Sequence, residues 1–354
     1  MGMYQEIKDK QEVFIIAEIG VNYYDIARVK NITPLEAAKL MVKEAKDSGV
    51  HAVKFQSYKA ETLASKYSPA YWDQAEEPTT SQYELFKKFD GFGAQEYKEL
   101  ANYCKEIGVI FMSTPFDIES ADYLEPLMEI YKISSSDLTN LPFITHIAKK
   151  GKPIFLSTGA ATLGEIEEAV NAILETGNQE ICIMHCVLAY PTSYKDANLN
   201  MIKHLKAIFP NYPLGFSDHT RPDEAMLVLT TAYQYGATVI EKHFTLDKSL
   251  QGNDHYHAMN PEDVKKFCNN MKLLQQIDGE YCKRPLECEQ AARQQARRSI
   301  VAKEDIMEGE VITLENIAFK RPGTGISPKD VGKIIGRKVK HSIGKDQLLQ
   351  WEYF

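Results

Sequence analysis

The chain has 354 residues, 44% of them hydrophobic and 25% charged, the proportions of an ordinary globular protein. A formal net charge of −8 gives no electrostatic reason to expect nucleic acid or an anionic membrane as partner, so an anionic substrate would need local positive charge. The opening residues MGMYQEIKDKQEVFIIAEIG lack the pattern of an export signal, and no apolar stretch approaches the roughly 18–20 residues of a membrane span.

In chain order, short apolar, β-branched runs alternate with amphipathic stretches from residue 13 to about 277. The first predicted strand, VFIIAEIG (13–20), leads into a long loop, VNYYDIARVKNITP (21–34), and a helix, PLEAAKLMVKEAKDSG (34–49). Thr33 before Pro34 is an N-cap signal, and Gly49 is a stop signal. HAVKFQ (51–56) is the second strand, followed by an aromatic-rich loop over 57–93. VIFMSTP (109–115), IYKISSSD (130–137) and PIFLSTG (153–159) are the next three strands. After a helix at LGEIEEAVNAILETG (163–177) come ICIMHC (181–186), LGFSDHT (214–220) and TVIEKHFT (238–245). Runs this apolar read as parallel strands buried on both faces. Eight of them, each trailed by a helical segment, predict an α/β fold of the (β/α)8 TIM-barrel type. A doubly wound open sheet is the alternative, because alternation alone does not show closure. Both long loops leave C-terminal strand ends, where barrel enzymes bind substrate.

Composition shifts near residue 280, where DGEYCKRPLECEQAARQQARR (278–298) is polar and charged. The expected organisation is a barrel domain over 1–280, a linker over 281–298 and a small mostly-β domain over 299–354, stabilised by docking. The six cysteines form no CxxC pair and are expected to be reduced thiols of a cytoplasmic protein.

Polar residues accumulate at the strand ends. A strand has no structural need of a lysine inside a closed barrel, and burying one is costly unless an anion compensates it. Lys54 and Lys132, with the hydroxyls of Ser135, Ser157 and Ser217, make up an anion site of the kind phosphate requires. The alternative is that the lysines point outward between helices. His219 and His243 end adjacent strands and can share a divalent metal ion, with a carboxylate or water completing the shell. GNDHYH (252–257) brings Asp254 and His255 nearby. The alternative for each histidine is a satisfied core residue. His185, beside Cys186, reads as structural.

The strand ends also match a family pattern. The chain resembles the sialic acid synthases through IIAEIGVN (15–22), AVKFQ (52–56), STPFD (113–117), KISS (132–135) and LSTGA (156–160). HCVLAYPT (185–192), GFSDHT (215–220), IEKHFT (240–245) and RRSIVAKEDI…KRPGTG (297–325) continue it in order, and the C-terminal module resembles an antifreeze-like SAF domain. The resemblance implies condensation of phosphoenolpyruvate with an N-acylated amino sugar, either N-acetylmannosamine, its 6-phosphate or a 2,4-diacetamido sugar. It implies that Lys54 and Thr114 hold the phosphoenolpyruvate carboxylate, while Lys132, Ser135, Ser157 and Ser217 surround its phosphate. His219 and His243 would bind manganese or magnesium, and Glu18, Gln56, Tyr190, Glu241 and Asp254 would contact the sugar and metal-bound water. Arg321 would reach into the partner's site of a domain-swapped homodimer. The sequence departs from the family at Tyr23-Tyr24 and at Leu188, both expected to border the sugar. Two further readings are open at this point: a Schiff-base aldolase using Lys132 or Lys242, and a non-catalytic glycan-binding protein.

Overall fold

The computed structural model describes residues 2–9, 12–72, 74–75, 77–252 and 254–354. The apolar runs form parallel strands β1 (Phe14–Gly20), β2 (Ala52–Ser57), β3 (Ile110–Pro115) and β4 (Tyr131–Ile133). They continue as β5 (Ile154–Ser157), β6 (Ile181–Cys186), β7 (Leu214–Asp218) and β8 (Ala237–His243). The ladder runs β3-β2-β1-β8-β7-β6-β5-β4, and β3 and β4 are neighbours across a seam with no ladder among the described residues. First strand pairs with last, so the sheet curls into a nearly closed TIM-like barrel rather than a doubly wound sheet.

Strand parity decides what the barrel contains. Phe14, Ile16, Ala52, Met112, Phe155 and Met184 share one face and pack into an apolar plug. Residues of the other parity, such as Ile15, Val53, Phe111 and Ile183, belong to the larger core beneath the helices. A preceding helix, α1 (Met3–Asp9), adds Ile7 to the plug, and its Tyr4 hydroxyl donates to the Ile181 carbonyl at 3.0 Å.

The expected loop over 21–34 holds a helix, α2 (Tyr23–Lys30), before α3 (Pro34–Ser48). Thr33 caps α3 as predicted, its side chain and that of Glu36 bonding each other's backbone N–H, and Gly49 ends it at φ +110°. The second long loop carries short helices at Ala60–Leu63 and Gln82–Lys88. The strand expected over 130–137 stops at Ile133, because the Ser134 hydroxyl accepts from Ser136 N–H and turns the chain into a 3₁₀ turn.

The chain divides into two compact units, Met1–Ile277 and Asp278–Phe354. In the second, β9 (Ser299–Ala302) pairs antiparallel with β10 (Ile317–Lys320) over a core that includes Ile300, Ile312, Ile334 and Leu349. Arg321 is an exposed residue of this unit. The six cysteines are unpaired. Among the described residues, no helix is long and apolar enough to cross a membrane.

Candidate active site

Carried one step up each strand, the inward parity replaces apolar side chains with Glu18, Lys54, Lys132, Ser157, Ser217 and Glu241, all buried. Lys54 Nζ lies 2.5 Å from Glu18 Oε2, donates to Thr114 Oγ1 at 2.9 Å and stands 3.8 Å from Glu241 Oε1. Lys132 Nζ and the Ser217 hydroxyl both donate to Glu241 Oε1, each at 3.0 Å. Gln56 Nε2 donates to Glu18 Oε1 at 3.0 Å. Two ammonium groups thus face two carboxylates in one cross-section of the barrel.

The electrostatics follow from that crowding. Burial pushes the Glu241 carboxyl up, but Lys132 and Lys54 outweigh it and hold it below the usual carboxylate range. Burial raises Glu18 by more than Lys54 takes back. Burial pulls Lys54 down, yet Glu18 and Glu241 more than reverse this, so it remains an ammonium. Lys54 is therefore an electrostatic group rather than a free amine nucleophile.

These residues line a cavity of about 410 Å³ at the C-terminal strand ends, together with Ser135, Asp137, Tyr190, His219, His243 and Asp254. Ser157 Oγ is buried without a hydrogen-bond partner among the described residues, and Ser135 Oγ accepts from Gly159 N–H at 2.9 Å. A Cβ at Gly159 would lie 2.8 Å from Ser135 Oγ, so only glycine keeps this corner open. Asp137 Oδ2 is likewise unpartnered, and burial pushes this carboxyl up to about 6. Tyr71, Phe86, Phe89 and Leu188 supply an apolar wall.

The histidines gather on one side. The rings of His219 and His243 are 5.5 Å apart, and Asp254 Oδ2 lies 3.6 Å from His243 Nδ1. Burial drives His219 down to about 4 and His243 well below its ordinary value, leaving both as neutral imidazoles, the form that binds metal. Burial pushes the Asp254 carboxyl up to about 7, helped by the charge of Glu18. Unpaired buried imidazole nitrogen costs about 1–3 kcal/mol, and His243 Nδ1 has no hydrogen-bond partner among the described residues. This donor set fits a divalent cation.

Several expectations change. His255 turns away from the cluster: its Nε2 lies 3.2 Å from Asp25 Oδ2 and its Nδ1 2.7 Å from Thr245 Oγ1. His257 takes its place, its ring 4.8 Å from that of His243, and burial keeps it neutral as well. Reading HYH alone could not choose between two histidines two residues apart. Lys242 has the outward parity and lies 2.6 Å from Asp218 Oδ2, fully buried away from the cavity, so it has no access to a substrate as a Schiff-base nucleophile. His185 is structural as expected, bonded to the Ala197 carbonyl at 2.9 Å and stacked on Phe216. Tyr23 and Tyr24 do not border the cavity. Tyr23 is fully buried and stacks with Tyr24 and Phe92 in an aromatic cluster. Leu188 does line the cavity, as expected. Arg321 belongs to the second unit.

Buried lysines, carboxylates and imidazoles at the C-terminal mouth of a βα barrel define an enzyme-type site. The chain belongs to the NeuB family, whose model matches residues 41–283, and a SAF domain follows at 297–354. It is 41% identical to an uncharacterized protein of Methanocaldococcus jannaschii, over 97% of this chain and 94% of that one. It is 38% identical to the N,N'-diacetyllegionaminic acid synthase of Campylobacter jejuni, over 96% of this chain and 99% of that one. The solved N-acetylneuraminic acid (sialic acid) synthetase of Leptospira borgpetersenii, in complex with citrate, superposes with a TM-score of 0.67 at 32% identity, covering 79% of this chain and 90% of that one.

The shared Glu241 contact makes a thermodynamic prediction. Glu241→Gln leaves Lys132 and Lys54 with a single full counter-charge, Glu18, and removing one partner of a buried ion pair costs about 3–5 kcal/mol. Urea denaturation is expected to show that loss, and inorganic phosphate is expected to restore part of it, stabilising the variant more than wild type. Unchanged stability without phosphate would mean the lysines do not depend on Glu241.

Proposed function

We propose that this protein is a nonulosonic acid synthase that condenses phosphoenolpyruvate with an N-acylated amino sugar and water, releasing phosphate. The observation that carries the reading is the pair of buried lysines set beside Ser135, the unpartnered Ser157 and Ser217 in one cavity. In this reading Lys132 and the three serines hold the phosphate, while Lys54 and Thr114 hold the carboxylate. The substrate's anionic groups take over the positive charge that Glu18 and Glu241 compensate in their absence.

Carbon C3 of the enol phosphate attacks the aldehyde carbon of the open-chain sugar, whose oxygen takes the carbonyl electron pair and the proton later released by the added water. Positive charge develops at C2. Glu18 and Glu241 face that charge, water adds at C2, and phosphate leaves into the hydrogen bonds of Lys132 and the serines. His219 and His243, with Asp254 beside them, would hold a divalent ion, which supplies Lewis acidity toward the aldehyde oxygen. Gln56 and Tyr190 would contact the sugar. Arg321 would complete the site of the partner subunit in a domain-swapped homodimer.

For the acceptor, the lining favours an uncharged 2,4-diacetamido sugar. The cations among the described lining residues of one subunit are Lys54 and Lys132, both engaged by phosphoenolpyruvate, so a 6-phosphate would have only the partner's Arg321 to meet it. Leu188, Phe86 and Tyr71 offer apolar surface to acetamido methyl groups. This agrees with the name of the Campylobacter jejuni relative.

Three sets of measurements test these assignments. With phosphoenolpyruvate and a panel of N-acetylmannosamine, its 6-phosphate and 2,4-diacetamido-trideoxyhexoses, product mass is expected to identify a nonulosonic acid from a diacetamido sugar. Lys132→Ala is expected to weaken phosphoenolpyruvate by about 2–4 kcal/mol and leave sugar affinity within a few-fold. Product from none of the acceptors, or unchanged phosphoenolpyruvate binding, would remove the reading. Second, chelation is expected to abolish turnover and an added divalent ion to restore it, whereas His219→Ala should fold normally and stay inactive. Third, Arg321→Ala and Lys132→Ala subunits, each inactive alone, are expected to regain activity on subunit exchange. Half of the dimers are then mixed and one site in each is whole, giving about a quarter of wild-type activity. A fully active Arg321→Ala, or a dead mixture, would place Arg321 outside the partner's site.

A further inference from the structure

One side chain near the site has no assigned role: His257, in the loop after β8. It is fully buried, and neither of its ring nitrogens has a hydrogen-bond partner among the described residues. A neutral imidazole carries one donor and one acceptor, and native proteins rarely leave buried polar atoms unpaired. Two orphaned nitrogens on one ring point to a partner that the described residues do not supply.

The neighbours identify the chemistry of that partner. His257, His243 and Asp254 each offer a ligand atom, and these atoms all lie within 4.8 Å of one another. His243 Nδ1 is orphaned too. Three ligand atoms on one ion, with bonds of about 2.1 Å, are roughly 3.0–3.6 Å apart, so the group closes on an ion when each side chain moves inward by up to about 0.7 Å. His219 lies outside that 4.8 Å group, its ring 5.5 Å from that of His243 and 6.1 Å from that of His257. Its Nδ1 lies 2.9 Å from the Val187 carbonyl, which fixes the proton there and leaves Nε2 as the basic atom.

We propose that His257 is a direct ligand of the divalent ion, making a centre of three imidazoles (His219, His243 and His257) with the Asp254 carboxylate. This centre takes a borderline transition-metal ion of the cobalt, iron(II) or zinc class in preference to magnesium. The choice of ion follows from the donors. Magnesium demands oxygen ligands and keeps much of its water, whereas each added imidazole favours the later divalent metals. Two histidines with water leave room for a hard ion; a third histidine removes it. The inference rests on the synthase reading only for what the ion does to substrate, not for its binding.

The test uses the full-length protein, stripped by chelator and reloaded. Equilibrium dialysis against cobalt(II) in a large molar excess of magnesium is expected to leave one cobalt per chain. X-ray absorption of the cobalt-loaded wild type is expected to count three imidazoles. His257→Ala and the more volume-preserving His257→Leu are expected to bind cobalt roughly 100-fold more weakly, or worse, and to change its visible absorption spectrum. Magnesium displacing cobalt, a count of two imidazoles, or folded variants with unchanged affinity and spectrum would each overturn the proposal. The imidazole count needs no variant, so misfolding of either one does not spare it. A failed synthase reading looks different: no product from any acceptor, with cobalt still bound through three histidines.

Discussion

Glu241 is the group on which the charged layer depends. One of its oxygens meets the Lys132 ammonium and the Ser217 hydroxyl, and stands within reach of Lys54. Two buried ammonium groups in one barrel cross-section would be prohibitive without such a carboxylate, and Glu18 supplies the second on the far side of Lys54. The layer rests on an apolar plug, so it faces low dielectric below and the cavity above. An incoming dianion can exchange with internal carboxylates as partner of the lysines. That exchange is the physical basis on which the proposed phosphoenolpyruvate site rests.

The surroundings hold this layer in place from the opposite strand parity. Asp218 and Lys242 adjoin Ser217 and Glu241 in sequence, yet they pair with each other on the outer face, fully buried. The same two strands therefore present one ion pair to the helices and another set of charges to the cavity. Asn22 Nδ2 donates to the Phe244 carbonyl at 3.0 Å, and His255 reaches Asp25 of α2, so the segment after β1 is tied to the segment after β8. The mouth is shaped by these ties and by the aromatic cluster of Tyr23, Tyr24 and Phe92.

That cluster changes how the departures from the family pattern are understood. Tyr23 and Tyr24 are packing residues that anchor α2 against Phe55 and Phe92, and they leave the cavity wall to others. Leu188 does reach the wall, beside Tyr190. The apolar wall of the cavity is therefore supplied by the segment after β6 and by the long aromatic-rich segment after β2.

The sequence by itself determined the succession of βα units, the capped helix at Pro34–Ser48 and the accumulation of lysine, serine and histidine at strand ends. These are local signals: apolar period, cap chemistry and residue type survive without knowledge of neighbours. It also carried the family resemblance, through motifs in series. Only the tertiary structure decided which side of each strand a charge occupies. One residue of register separates Glu241 in the cavity from Lys242 outside it, and two positions separate His255 on Asp25 from His257 beside His243. Closure of the sheet is likewise a long-range fact, fixed when β1 pairs with β8 across more than two hundred residues of chain. Pairing of that kind depends on the whole barrel's geometry, which no local stretch of sequence contains.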